Sequence, residues 1–253
     1  MSRKRSQVKR DGLMTLVVPD AHTPNHDEHA LGLVRDFAQD YHPDVLVILG
    51  DWFDCYQVSN FTNKPDRIST LQREIDDGVE ALETLVKGLT RDRVFIFGNH
   101  EARWHRYLEK QAPELQGLRA LELERLFNLN KLYFDTVPYG DVHEVHDMGF
   151  THGSRVSKHS GRTAQFHMDD YNQSLCMGHS HRQGVYKRTH YGETLRAYEM
   201  GHLTEGNPEY KNKPENWQQG FGVVWTDEET NRSWVEQIEI QDGDFMYHGN
   251  LRR

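Results

Sequence analysis

The sequence predicts an α/β sandwich, two packed sheets with helices outside, and three observations carry that expectation. Mean hydropathy is only -0.83, yet the apolar residues are gathered into short blocks, as in thin buried strands joined by polar loops. The first part of the chain alternates strand-like and helix-like segments, which implies right-handed crossovers and a largely parallel sheet. Beyond residue 140 the chain is a succession of short extended segments separated by turn residues.

Each element has its own justification. LMTLVV (Leu13 to Val18) reads as a strand, and Glu28 to Tyr41 as an amphipathic helix with Leu31, Val34, Phe37 and Ala38 on one face. DVLVIL (Asp44 to Leu49) is apolar on both faces and therefore belongs inside a sheet covered on both sides. Ile68 to Lys87 repeats Leu71, Ile75, Val79, Leu82 and Val86 at helical spacing, and RVFIFG (Arg93 to Gly98) is the third strand. Helical stretches at Ala102 to Gln111 and Leu118 to Phe127 form an expected small cap over 102–130. Past KLYFDTVPYG, the segments VHEVHDMGFTHG, SLCMGHSH, GVYKRT, LRAYEM, GFGVVWT and SWVEQIEI read as strands, interrupted by a helix at Gly161 to Tyr171.

Bulk properties bound the function. The 253 residues show no internal repeat and fit one domain over 13–253, preceded by a flexible basic arm, 1–12. The run after that arm is too short for a signal-peptide core and lacks a small-residue cleavage site, so a cytoplasmic location is expected. No apolar stretch approaches the length of a membrane span. Cys55 and Cys176 lie far apart without metal or disulfide spacing and read as reduced, packed thiols. A formal charge of -9 argues against a broad nucleic-acid surface while leaving room for a local one. Neither composition nor motif sets an oligomeric state.

The chemistry gathers at strand ends. The first strand ends in PDAH, the second in GDWFD, the third in GNHE, and THG and GHSH follow later. Ligands of open α/β sheets bind outside the carboxyl ends of strands, so these five clusters should meet in one crevice. Asp20, His22, Asp51, Asn99, His152, His179 and His181 would then supply three carboxylate or carbonyl groups and four imidazoles, with no sulfur. That set suits manganese, iron or zinc. Seven donors exceed one ion's needs, whereas two ions sharing a carboxylate use them all.

The ordered set Asp20-Ala21-His22, Gly50-Asp51-Trp52-Phe53-Asp54, Gly98-Asn99-His100-Glu101, His152-Gly153 and Gly178-His179-Ser180-His181 resembles the calcineurin-like metallophosphoesterase superfamily. The resemblance runs from about residue 13 to residue 185. It implies a four-layer α/β/β/α sandwich of two mixed sheets flanked by helices, with a small helical insertion. It implies further that Asp20, His22 and His181 hold one divalent ion, that Asn99, His152 and His179 hold another, and that Asp51 bridges them. Manganese is the first expectation, with iron, zinc, nickel or magnesium as alternatives. Such a pair, on the order of 3.5 to 4 Å apart, generates a bridging hydroxide that attacks phosphorus. His100 would protonate the leaving group. Asp54 would orient His100 and favour its charged form.

Departures from the family's branches narrow the substrate. Protein serine/threonine phosphatases of the superfamily carry a phosphate-gripping arginine where this chain has Cys55. Nucleotide-lipid pyrophosphatases tend to have arginine at the place of His100. The GDWFD form is similar to the repair-nuclease branch, without its long capping segments. The expectation is therefore a free-standing phosphodiesterase acting on a nucleotide or on DNA or RNA, with a phosphomonoesterase, a nucleotide pyrophosphatase or a non-catalytic scaffold as alternatives. Arg103, Arg155, Arg162 and His159 are candidate substrate contacts, since arginine's planar fork suits phosphate. The basic arm and the ARWHRY segment, which mixes cations with rings, are candidate nucleic-acid contacts. Glu101 reads as a first-turn helix acid, Trp217 as a buried anchor, and Met168, Met177 and Met200 as core filling.

Overall fold

Strands apolar on both faces need cover on both sides, and β1 (Leu13–Val18), β2 (Val45–Ile48) and β3 (Arg93–Ile96) receive it. The computed structural model describes residues 11–59, 70–205 and 216–253. On one face, Leu16, Leu46, Ile48 and Phe95 pack with Val34, Phe37, Ile75 and Leu82 of helices α1 (Glu28–Tyr41) and α2 (Leu71–Val86). On the other, Val17, Val47, Val94 and Ile96 meet Phe150, Cys176 and Met200 from a second sheet. Fully burying such side chains contributes about 2 kcal/mol each. Each helix starts where a side chain satisfies an orphan amide: Asp27 accepts from Ala30 at 3.0 Å, and Thr70 Oγ1 accepts from Arg73 at 3.2 Å. Arg93 is buried with no acid partner among the described residues, and its guanidinium donates to the carbonyls of Val86, Leu89, Thr90 and Leu132, tying the end of α2 to the sheet.

Helix α3 (Ala102–Gln111) has the span expected of it. Leu118 to Phe127 differs from expectation: a 3-10 turn at Arg119–Leu121 precedes a single turn, α4 (Leu123–Leu126). Glu122 between them is extended (φ -66, ψ 134), and Leu123, Phe127 and Leu129 dip into the core instead of lining one helical face. KLYFDTVPYG contains a strand that its local pattern does not announce, β4 (Phe134–Val137), parallel to β3 at the sheet edge.

The hairpin β5 (His143–Val145) and β6 (Met148–Thr151), then α5 (Arg162–Tyr171), β7 (Leu175–Met177), β8 (Gln183–His190) and β9 (Glu193–Met200) build the second sheet, ordered β5-β6-β7-β9-β8. Helix α5 covers its outer face, where Ala164 and Met168 meet Leu175, Met177 and Ala197. Strands β10 (Gly220–Asp227) and β11 (Arg232–Glu239) return to the first sheet, ordered β11-β10-β1-β2-β3-β4, with β10 antiparallel to β1 and Val223 opposite Leu16. A short hairpin, β12 (Phe245–Tyr247) with β13 (Asn250–Arg252), adds Phe245 and Tyr247 to the aromatic cluster around Phe37. Helices, sheet, sheet, helix: the fold is mixed α/β with two large mixed sheets, as the sequence predicts.

The basic arm through Arg10, Ile68 at the expected start of the second helix, and residues 206–215 of the polar loop before Trp217 lie outside the described residues. Among the described residues no helix is long and apolar enough to cross a membrane.

Candidate metal centre

Strands β1, β2 and β3 run parallel in one sheet, and β6 and β7 run parallel in the other. Their carboxyl ends deliver all five motifs. Asp20 and His22 follow β1, Asp51 and Asp54 follow β2, and Asn99 and His100 follow β3; His152 follows β6, and His179 and His181 follow β7. The loops turn inward sharply. Asp20 (φ 38), His22 (φ 54), Asp51 (φ 48), His179 (φ 66) and His181 (φ 56) all occupy the left-handed region, which non-glycine residues adopt at an energetic cost when function demands it. Close approach explains two glycines: a Cβ on Gly98 would collide with the Asp51 carboxylate, and one on Gly178 with that of Asp20.

Two clusters of donors result, joined at one carboxylate. In the first, His22 Nε2 stands 3.0 Å from His181 Nε2, and Asp20 Oδ1 lies 3.5 Å from His181 Nε2 and 3.9 Å from His22 Nε2. In the second, His152 Nε2 is 3.0 Å from Asn99 Oδ1 and 3.2 Å from His179 Nδ1. Asp51 Oδ1 accepts the His100 amide at 2.9 Å. Its Oδ2 faces both clusters, 3.3 Å from His152 Nε2 and 3.8 Å from His22 Nε2. His152 Nδ1 donates to the Leu49 carbonyl at 2.7 Å, so Nε2 is the ring atom turned to the cluster, the arrangement of a metal-ligating histidine once that nitrogen gives up its proton. The groups Asp20–His22–His181 and Asp51–His152–His179 each place three donor atoms within 4.8 Å of one another. Lone pairs crowded this closely in a buried place require a cation or shared protons, and an all-oxygen-and-nitrogen set fits divalent ions of the manganese-to-zinc range.

Electrostatics of the bare site say the same. Burial pushes the Asp20 carboxyl up to about 7. Burial also opposes ionisation of Asp51, yet the neighbouring His100 and His152 hold it well below the usual carboxylate range. Burial disfavours charge on His152, but Asp51 and Asp20 overcome it and raise its pKa to about 9. Burial lowers His179 to about 3 and His181 well below its ordinary value. Neighbours thus hold opposite preferences for one proton, a conflict that a divalent cation removes.

His100 stands beside this set. Its Nδ1 donates to Asp54 Oδ1 at 2.7 Å and lies 3.0 Å from the Asp54 carbonyl. Arg103, one turn along α3, donates Nη1 to the Asp54 carbonyl and Nη2 to His100 Nε2, both at 2.8 Å. A guanidinium only donates, so Nε2 accepts and the ring is the Nδ1–H tautomer. The other expected substrate contacts are engaged elsewhere. Arg155 pairs with Asp170 at 3.0 Å, Arg162 donates to Gln165 at 2.6 Å, both guanidinia lie over Phe166, and His159 is exposed. Among the described residues none of these three bonds to the metal-cluster side chains.

Four residues outside the donor set support the centre. Glu101 is more than a first-turn acid: it is buried at the start of α3 and accepts the amides of Gly98 (2.8 Å), Asp51 (3.0 Å) and Phe53 (2.9 Å), locking two motif loops together. Burial raises its pKa to about 7. Glu199, the lone acid among the buried residues ending β9, accepts from Ala164 N and Ser180 Oγ, both at 3.0 Å, and so fixes the GHSH turn to α5. Its signal was that acid inside an apolar run. His202 stacks on His181, ring centroids 5.2 Å apart, and Trp217, half-buried, sets its edge against the same ring at 4.2 Å.

A family model described as calcineurin-like phosphoesterase matches residues 13–192. The gene 54 protein of Mycobacterium phage D29 is 29% identical, over 93% of this chain and 97% of the relative. Among solved structures, a Vps29 single mutant from Entamoeba histolytica aligns at a TM-score of 0.49 with 14% identity, covering 92% of this chain and 96% of that one. YfcE, a phosphoesterase from E. coli, aligns at a TM-score of 0.41 with 13% identity, covering 89% of this chain and 99% of that one.

Proposed function

From the premise that the chain belongs to the calcineurin-like phosphoesterase family, we propose that it hydrolyses phosphodiester bonds with two divalent ions, manganese first among them, in a nucleotide or a nucleic acid. The observation that carries the reading is the Asp51 carboxylate standing between two donor clusters, with His100 outside both. Two cations, one held by Asp20, His22 and His181, the other by Asn99, His152 and His179, with Asp51 shared, would polarise the phosphoryl group and acidify a water.

The protein's own groups do the rest. Asp51 commits Oδ1 to the His100 amide and leaves Oδ2 for the shared position. Asp54 orients His100 through Nδ1, so Nε2, which accepts from Arg103 in the free protein and must take up a proton from solvent before it can act as the acid, is the atom that meets the leaving oxygen. Arg103 covers that nitrogen in the free protein, and its guanidinium turns to a phosphate oxygen when the ester arrives, which uncovers His100. Arg155, Arg162 and His159 carry less of the reading, because Asp170 and Gln165 already engage the two arginines. Preference for a diester over a monoester is supported at Cys55, buried and neutral where an additional cation would balance the extra charge of a monoester.

Purified protein with manganese is expected to hydrolyse bis-p-nitrophenyl phosphate faster than p-nitrophenyl phosphate, and His100→Ala and Asp51→Asn are expected to abolish turnover. No turnover of either ester with manganese, iron, zinc, nickel or magnesium would overturn the reading in favour of a binding scaffold.

A further inference from the structure

Helix α3 leaves the candidate centre as a row of cations. At 3.6 residues per turn, Arg103, Arg106, Tyr107 and Lys110 share one flank, while Trp104 and Leu108 turn toward the core. Glu109, the sole acid within α3, falls off that flank. The row begins in the site itself. Arg103 touches His100 and Asp54 on one side of the centre. Arg106 folds back toward the other, donating Nη2 to the carbonyl of Asn99 at 2.8 Å and Nε to that of Ala102 at 3.2 Å. Lys110 stands a turn further out, about 10 Å along the axis from Arg103.

Neither Arg106 nor Lys110 has a carboxylate within ion-pair distance among the described residues, although the chain carries a formal charge of -9 and its other exposed arginines are commonly paired. Tyr107 is 41% exposed and near-parallel to the Trp104 ring, 15° apart with centroids 6.5 Å from each other. Trp104 is in turn anchored by its Nε1 donating to the Leu121 carbonyl at 2.8 Å. A rigid ring beside unpaired cations is the combination that binds single strands, with phosphates on the charges and a base on the ring.

We infer that the Arg103–Arg106–Tyr107–Lys110 flank of α3 is a rail for a single nucleic-acid strand, leading successive phosphates into the centre. The inference rests on the hydrolase reading for its direction and narrows it. The substrate is a polynucleotide carrying phosphates beyond the one cleaved, rather than a mononucleotide.

Fluorescence anisotropy of a labelled oligothymidylate of about twelve nucleotides tests this on the full chain, in EDTA to stop turnover and at fixed low salt. The wild type is expected to bind, and the double variant Arg106→Gln, Lys110→Gln to bind at least about tenfold more weakly. Its slope of log affinity against log salt should be shallower by about 1.4, two single-strand phosphate contacts. Tyr107→Ala is expected to weaken binding about fivefold or more and to erase any advantage over an acidic peptide of equal charge.

No binding by the wild type, or binding indifferent to these substitutions, overturns the rail; so does an acidic peptide that binds the wild type as tightly as the oligonucleotide. Manganese-dependent turnover of bis-p-nitrophenyl phosphate by the same wild-type preparation separates the two levels. If turnover persists while binding ignores the substitutions, only the rail falls. If turnover is absent while binding depends on them, the hydrolase reading falls and the binding face stands.

Discussion

The interior of the first sheet and the loops at its carboxyl edge are equally buried and built on opposite principles. Leu16, Leu46 and Ile48 are inaccessible, apolar and in ordinary extended backbone. A few residues on, Asp20, Asp51 and His152 are almost as inaccessible, polar, and crowded against like neighbours, with Asp20 and Asp51 in left-handed backbone. The first region lowers the free energy of the fold by removing apolar surface from water. The second raises it, through desolvated carboxylates and strained turns, and is tolerated because the sheets on either side hold the strand ends in place. Burial alone therefore does not distinguish a residue that stabilises from one that is being stabilised.

The most forceful way to break that comparison is Asp51→Asn. If the loops exist for chemistry, it should cut turnover of bis-p-nitrophenyl phosphate by at least about a thousandfold, roughly 4 kcal/mol of barrier, while circular dichroism and the melting temperature of the EDTA-treated protein stay near wild type. A collapse of the fold instead would place Asp51 with the core. Leu46→Ala is the reciprocal experiment. It leaves the donors untouched and should cost about 3 kcal/mol of stability through lost transfer energy and a cavity, read from the urea midpoint.

The same division decides what could be read before the fold was known. The strands β1 and β2 and the helix α1 were legible because their apolar patterns are complete: every residue of β2 is buried, and Leu31, Val34, Phe37 and Ala38 recur on one face of α1. Strand β4 was not, since only Phe134 is buried and the remaining residues carry no alternation. The break at Glu122 was hidden for a related reason: Leu118 to Phe127 has helical composition, and tertiary burial of Leu123 and Phe127 decides its path. At the site, the donor residues were legible as types at strand ends. What was hidden is pairing across the chain. Nothing local in the sequence says that Glu101 receives amides from Asp51 and Phe53, fifty and forty-eight residues away, or that Arg103 closes over His100.

A pH titration sharpens the contrast within the loops. Asp51 and Asp20, working against burial, raise His152 to about 9 in the cation-free protein. A histidine whose folded pKa lies above its unfolded value contributes stability fully present below the unfolded pKa, near 6.5, and lost as pH rises through the folded one. The EDTA-treated protein should therefore lose about 2 kcal/mol between about pH 7 and pH 9. Manganese, competing for the same lone pair, should remove most of that slope and raise the melting temperature more at the alkaline end. Thermal melts across that range, with and without metal, read both; parallel curves would mean that His152 is not where the ion binds.

The smallest expected effect makes the sharpest comparison, because it sets one aspartate against another. Asp27 and Asp20 both follow β1, seven residues apart. Asp27 is half-buried, and burial opposes its charge, but the Ala30 amide and Gln219 Nε2, each at 3.0 Å, hold its pKa below the usual range. Asp20, fully buried, has its pKa raised. The signs follow: Asp27 contributes stability above its unfolded pKa that is lost as pH falls, whereas Asp20 contributes stability only below its unfolded pKa and loses it as pH rises toward 7. Asp27→Ala should cost about 1 kcal/mol at neutral pH, the value of an N-cap, and less in acid. In the cation-free protein Asp20→Asn should do the reverse, gaining stability near pH 7 and little in acid, because a neutral amide fits a buried place that a carboxylate resists. Chemical denaturation of the two variants at two pH values reads all four numbers, and an Asp20→Asn protein less stable than wild type near neutrality would show that the loop draws net stability from its charge.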